Sequence, residues 1–292
     1  MDLTKDRYSM KKIGLLLGCL VAGCLSLSAQ QTKELDILQT SDMHSRIEPI
    51  HPQAADENAG KGGMARRAAF VAQFREAHPD VLLFDCGDIS QGTPYYNMYK
   101  GEVEVKMMNL MGYDAMTIGN HEFDYGLENM ARLFRLADFP VVCANYDVAG
   151  TVLDGLVKPY VVLERQGVRI GVFGLSPQLE GLVQQSKCEG IVYRDPVEAA
   201  REVVSILRGR ERCDVVICLS HLGIRPEGSH LMGDAVVVSG TAGIDLVLGG
   251  HTHTFMEHPR TLVDADGREV AVMHTGKNGV YVGELKMILE KK

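Results

Sequence analysis

Nine polar side chains stand just past five short apolar runs: Asp42 and His44; Asp88; Asn120, His121 and Asp124; His221; His251 and His253. Such groups do not help a core, because each costs a few kcal/mol to bury unpartnered. At the carboxyl ends of strands in an α/β sheet they have a use, since ligands and chemistry gather there. Asp42, Asp88 and Asn120 offer oxygens, and His44, His221, His251 and His253 offer imidazoles. That donor set suits divalent first-row metals, imidazole favouring Zn, Fe or Ni and carboxylate favouring Mn or Mg. Seven donors are too many for one ion and suit two ions that share a bridging carboxylate. Asp88, after the second run, is placed to lie between them. Asp42 and His44 are two residues apart, as are His251 and His253, which on an extended segment puts each pair on one side. Gly87, Gly119, Gly249 and Gly250 precede the donors and are expected to let the backbone turn sharply. A lone His221 reads as an ordinary histidine, and Gly87-Asp88 as turn chemistry. Five strand ends together carry the metal reading. His51, His78, His230, His258 and His274 lack that setting and are expected to be solvated or structural.

These donors need strands behind them. Leu35 to Thr40, Val81 to Asp85, Ala115 to Ile118, Val215 to Leu219 and Gly243 to Leu248 read as buried strands that end in the polar groups. If they are parallel and share a sheet, all five ends lie on one edge. Met64 to Ala77, Glu102 to Met111, Leu127 to Leu136 and Val197 to Leu207 follow helical spacing, and Pro196 suits the start of the last. Gln91 to Pro94 reads as a turn. Tyr160 to Glu164 and Arg169 to Leu175 flank Gln166-Gly167 as an antiparallel hairpin. Val270 to His274 and Tyr281 to Ile288 are further strands, with Lys277-Asn278-Gly279 as a hairpin turn. Alternating strands and helices followed by strands imply a mixed, layered α/β domain.

The chain has 292 residues, 46% hydrophobic and 23% charged, which excludes wholesale disorder. Its formal net charge is −8. With no basic stripe, a nucleic-acid polymer is not an expected partner. Residues 1–29 read as a targeting leader: Lys11-Lys12, then the apolar stretch Ile13 to Leu27, then small residues Ser26-Leu27-Ser28-Ala29 before Gln30. Val21-Ala22-Gly23-Cys24 offers a competing lipoprotein cut, which would anchor the chain through Cys24. Either route takes the protein out of the cytoplasm, to the periplasm or cell surface. Cys86, Cys143, Cys188, Cys213 and Cys218 remain, irregularly spaced and without a CxxC pair. They are expected to be buried hydrophobes or spectators rather than a disulfide framework. Residues 30–292 read as a single domain.

The motifs also resemble a known family. Asp42-Met43-His44, Gly87-Asp88-Ile89-Ser90-Gln91-Gly92, Gly119-Asn120-His121-Glu122-Phe123-Asp124, Ser220-His221 and Gly250-His251-Thr252-His253 match, in order, the blocks of the calcineurin-like metallophosphoesterases. With Gly62-Gly63-Met64-Ala65-Arg66 the chain is similar to the 5′-nucleotidase branch. The resemblance implies a four-layer αββα sandwich with two mixed β-sheets. It implies Asp42, His44, Asp88 and His253 around one divalent ion (Zn, Mn, Fe, Co or Mg) and Asp88, Asn120, His221 and His251 around a second. It further implies that Asn120 and His121 contact substrate, that His121, oriented by Asp124, assists the leaving oxygen, and that a water activated by the ions attacks phosphorus. Glu122 and Phe123 are given only turn and packing roles. The family's 5′-nucleotidases carry a further C-terminal domain for the nucleobase. Here it is expected to be absent, which points to a separately encoded partner or to other substrates. The loops Ile47 to Gly62 and Gln178 to Tyr193 are then local candidates for substrate contacts.

Three functions follow from this reading. The first is an exported phosphohydrolase of nucleoside 5′-monophosphates. The second is the same chemistry on UDP-sugars or cyclic nucleotides. The third is a subunit that needs a separate substrate-binding domain.

Overall fold

The computed structural model describes residues 8–10, 32–224 and 232–291. The leader, apart from residues 8–10, and His230 lie outside them. In chain order the elements are β1 (Tyr8–Met10), β2 (Thr32–Thr40), α1 (Met64–Ala77), β3 (Leu82–Asp85), α2 (Pro94–Tyr99), α3 (Glu102–Met111), β4 (Ala115–Thr117), α4 (Gly126–Leu136), β5 (Val141–Val142), β6 (Tyr146–Asp147) and β7 (Val157–Lys158). There follow β8 (Tyr160–Arg165), β9 (Val168–Leu175), β10 (Val192–Tyr193), α5 (Pro196–Gly209), β11 (Val215–Ser220), α6 (Asp234–Gly240), β12 (Leu246–Gly249), β13 (Arg260–Val263), β14 (Glu269–His274) and β15 (Gly283–Lys291).

One sheet has the order β1-β15-β2-β3-β4-β5-β7 and the other β13-β14-β12-β11-β9-β8, while β6 and β10 form a small ribbon. Within the first, β2, β3, β4, β5 and β7 run parallel. Within the second, β9, β11, β12 and β14 run parallel between antiparallel edges β8 and β13. Parallel strands covered on both faces have no polar side, which is why β3 and β11 are buried throughout.

The sheets stack face to face. Ile37, Phe84 and Val142 of the first meet Ile170, Ile217 and Leu248 of the second in one apolar cluster. Alternate residues face outward. Leu83 and Met116 join Val71 of α1, Met108 of α3 and Met130 of α4. Val216 and Cys218 join Ala200 and Val204 of α5 and Val237 of α6. The layers are therefore α, β, β, α, as the resemblance implied.

Three local expectations need correction. The Gln91–Pro94 turn runs into α2, because Pro94 at the helix start lacks only an N–H that would be unpaired there anyway. The short elements α6 and β13 have too few residues to show a period and escaped the sequence reading. The Lys277–Gly279 turn does not close a hairpin: β14 and β15 lie in different sheets, so this connection crosses between them. Cys86, Cys143, Cys188, Cys213 and Cys218 are free thiols. Among the described residues no helix is long and apolar enough to cross a membrane.

Candidate active site

The five strand ends do not share a sheet edge, as the sequence reading required. β2, β3 and β4 deliver Asp42, His44, Asp88, Asn120 and His121 from the first sheet, and β11 and β12 deliver His221, His251 and His253 from the second. The ends meet because the sheets stack with their carboxyl edges on the same side. The backbone of Asp42 reaches both neighbours: its N–H donates to Gly87 O at 2.9 Å and its C=O accepts from Asn278 N–H at 2.8 Å. The His251 N–H donates to the Asp42 carboxylate at 3.0 and 3.1 Å, joining chain segments 209 positions apart.

Local geometry differs from the extended segments expected. Asp42, His44, Asp88, His251 and His253 all have positive φ, between 45° and 75°. Left-handed backbone is uncommon outside glycine and costs on the order of 1–3 kcal/mol per residue, so it persists where surrounding bonds hold it. The glycines also act differently from expectation. Only Gly87, at φ 89°, needs a left-handed conformation. Gly119 and Gly250 are there for space: a Cβ would lie 2.1 Å from Asp88 Oδ1 and 2.8 Å from Asp42 Oδ2 respectively.

Among the described residues, three groups of side chains have donor atoms within 4.8 Å of one another: Asp42, His44 and His253; His44, Asp88 and His121; Asp88, His221 and His251. Asp88 thus stands between a His44 side and a His221–His251 side. His44 Nε2 and His253 Nε2 are 3.0 Å apart, and His253 Nε2 is 3.5 Å from Asp42 Oδ1. His221 donates from Nδ1 to Cys86 O at 2.6 Å, which turns Nε2 toward Asp88. A backbone partner of this kind sets the tautomer of a metal-binding imidazole. Nε2 is 3.1 Å from Asp88 Oδ2, yet it is buried without a bond of hydrogen-bonding geometry, and so is Asn120 Oδ1. A buried imidazole nitrogen and a buried amide oxygen, neither with a hydrogen-bond partner, are groups that a bound cation would satisfy.

The charges agree. Burial, with the neighbouring Asp88 charge, pushes the Asp42 carboxyl up to about 6 against the lowering pull of His221. Burial also acts on Asp88, but His221 outweighs it and holds that carboxyl low. The same pairing, against burial, lifts His221 to about 10. Burial lowers His44 to about 4, leaving a neutral imidazole with a lone pair to give. A divalent ion would do for Asp88 what the His221 proton does in its absence. The donor set therefore fits two ions.

His121 and Asp124 lie at the mouth. His121 Nδ1 is 3.2 Å from Asp124 Oδ2, and this bond raises the imidazole's pKa against partial burial. The His121 N–H donates to Asp88 Oδ1 at 2.8 Å. Gln178 to Tyr193 packs nearby. Tyr125, Glu128, Lys187 and Glu189 line a cleft of about 420 Å³ between that loop and the turn carrying Asp124.

Sequence reasoning gave Glu122 a turn role, which the structure bears out and extends to a second turn. Glu122 is 1% exposed, and its Oε2 accepts the N–H groups of Asp88 at 2.9 Å and Gly119 at 2.6 Å while Oε1 accepts that of Ser90 at 3.3 Å. It clasps the Asp88 turn to the Asn120–His121 turn. The available signal was a carboxylate beside a buried Phe123, which must find N–H donors or not be buried. Replacing Glu122 by Gln turns amide hydrogens toward those donors. We expect a 10–100-fold loss in divalent-ion affinity, as for other residues that orient metal ligands. A calorimetric titration with Mn²⁺ checks this, and unchanged affinity would show that the clasp has no bearing on the site.

Fold and donor set together match those of a family of metal-dependent phosphoesterases whose members work with two divalent ions. The chain belongs to the calcineurin-like phosphoesterase family, whose model matches residues 35–255. It is 33% identical to a 5′-nucleotidase of Bos taurus over 296 residues, 94% of this chain and 50% of that protein. It is 33% identical to a snake venom 5′-nucleotidase of Gloydius brevicauda over 95% of this chain and 49% of that one. Among solved structures, a 5′-nucleotidase precursor from Thermus thermophilus superposes with TM-score 0.78 at 30% identity, covering 87% of this chain and 51% of its own. A calcineurin-like phosphoesterase from Bacillus subtilis gives 0.75 at 28% identity, with 90% and 87% covered. The chain spans about half the length of the curated relatives it matches.

Proposed function

We propose that this chain is the catalytic domain of an exported hydrolase that removes phosphate from nucleoside 5′-monophosphates at a two-ion centre. The observation that carries the reading is the position of Asp88, grouped with His44 on one side and with His221 and His251 on the other. Asp42, His44, Asp88 and His253 would hold one ion, and Asp88, Asn120, His221 and His251 the other. When bound, such ions supply an activated water at neutral pH and offset the charge that builds on the phosphoryl oxygens. Asn120 and His121 then orient the ester. Asp124 occupies His121 Nδ1, so Nε2 is the atom left to give a proton to the leaving oxygen. Export is supported by Lys11-Lys12 ahead of the apolar stretch 13–27. It is also in keeping with a relative named for snake venom.

The test is a panel of 5′-AMP, a UDP-sugar, a cyclic nucleotide and an aryl phosphate. We expect hydrolysis of 5′-AMP that stops in excess chelator and returns with added divalent ion. A chain that binds two equivalents yet cleaves nothing would overturn the stand-alone reading. The second reading, a catalytic domain that needs a substrate-binding domain to act, would then stand.

A further inference from the structure

Behind the site lies a second polar cluster that the proposed chemistry does not use. Ser220, Gly249 and His274 pair side by side across β11, β12 and β14. This row is one residue before His221 and two before His251. Outward-facing Val216 and Cys218 of β11, and Val270 and Val272 of β14, pack on the α5–α6 side. By the two-residue alternation of strands, Ser220 and His274 face that side too, and His221 faces the other. The ring of His274 lies over Gly249, where a Cβ would come within 2.1 Å of Nε2. Across that gap His274 Nε2 meets Asp234 Oδ2 at 2.6 Å, and Asp234 Oδ1 accepts from Ser220 Oγ at 2.5 Å. Ser220 Oγ in turn accepts the Leu222 N–H at 3.1 Å, and the Asp234 N–H donates to Gly223 O at 3.0 Å. All three side chains are 1% exposed.

This strap is a poor device for stability. Buried ionisable pairs are often matched or bettered by apolar packing of the same volume. His274 Nδ1 is moreover buried with no partner, a cost that a hydrophobic residue would avoid. What the strap does is tie the ends of β11 and β14 to each other through α6, across the end of β12, at the row from which His221 and His251 project. We propose that Ser220, Asp234 and His274 are positioning residues that hold His221 and His251 in register with Asp88. The ion held by Asp88, His221 and His251 then depends on them, although none of the three touches it.

The inference rests on the two-ion reading of the site, and Co²⁺ alone is the probe. The unaltered chain, stripped by chelator, is titrated calorimetrically and by its visible absorption spectrum. Failure to take up two equivalents would remove the two-ion reading itself. Given two equivalents, His274→Leu is expected to retain the melting temperature of the stripped protein. It should bind one equivalent as before and lose about 10–100-fold in affinity for the other. His274→Gln, which keeps an N–H donor, should recover most of that loss. Both equivalents binding normally in His274→Leu would overturn the proposal, and so would both weakening together with a lowered melting temperature. If His274→Leu does not fold, Ser220→Ala removes a single hydrogen bond and must still weaken one equivalent selectively, by a few-fold. An unchanged titration there overturns the proposal equally.

Discussion

Replacing Asp88 with Asn is expected to remove most of the hydrolytic activity and at least one equivalent of bound metal. Asn keeps the shape but exchanges a charged oxygen for an amide NH₂. Asp88 is 2% exposed and is grouped both with His44 and His121 and with His221 and His251, so its charge serves both donor groups. The ions are worth several kcal/mol of charge stabilisation, and each 1.36 kcal/mol is tenfold in rate. The expected fall in kcat/KM is therefore about three orders of magnitude or more. Metal analysis of the purified variant with steady-state kinetics checks both halves. Two retained equivalents and near-normal turnover would remove Asp88 from the bridging position. Circular dichroism should show the fold intact, because the apolar cluster between the sheets does not involve Asp88.

His121→Ala is expected to slow turnover about 10²–10⁴-fold while both metal equivalents stay. The two parts of this result separate proton donation from ligation. His121 shares a donor group with His44 and Asp88, so geometry alone would allow it to bind an ion. Its bond to Asp124 argues for the proton, since a carboxylate on Nδ1 favours the imidazolium. Substrates with acidic leaving groups need no proton. The loss should therefore shrink when a nitrophenyl phosphate replaces 5′-AMP, and Asp124→Asn should follow the same leaving-group trend with a smaller loss. Loss of metal in His121→Ala, with equal loss of rate on both substrates, would make His121 a ligand instead.

Much of the site was legible from residue types. Asp42, His44, Asp88, Asn120, His121, Asp124, His221, His251 and His253 were singled out because polar groups at the ends of apolar runs need a reason to be there. The structure brings them together. Glu122 was given a turn role within its own hexapeptide, and its reach to the Asp88 turn was not foreseen. Its role is to accept N–H groups from residues up to 34 positions away, and nothing about an isolated glutamate shows where those donors will be. His274 was set among the structural histidines for the same reason: its partner Asp234 is 40 positions distant, on a helix of seven residues. The period-two argument for Asp42 and His44 reached the right grouping through the wrong backbone. Both residues are left-handed, and they converge because the β3 loop and the Asn278 N–H hold them.

By itself the sequence determined the donor inventory, its order along the chain, the buried strands that precede it and a mixed, layered α/β domain. These depend on burial and backbone periodicity, which act over a few residues and leave a local trace. Tertiary structure alone decided that the donors come from two sheets rather than one. It also decided that Glu122 clasps two turns and that Ser220, Asp234 and His274 tie the ends of β11 and β14. These rest on single hydrogen bonds between distant segments, such as His251 N–H to Asp42, 209 positions apart. A bond of that kind is set by how the layers stack, so it leaves no period in the chain from which it could be read.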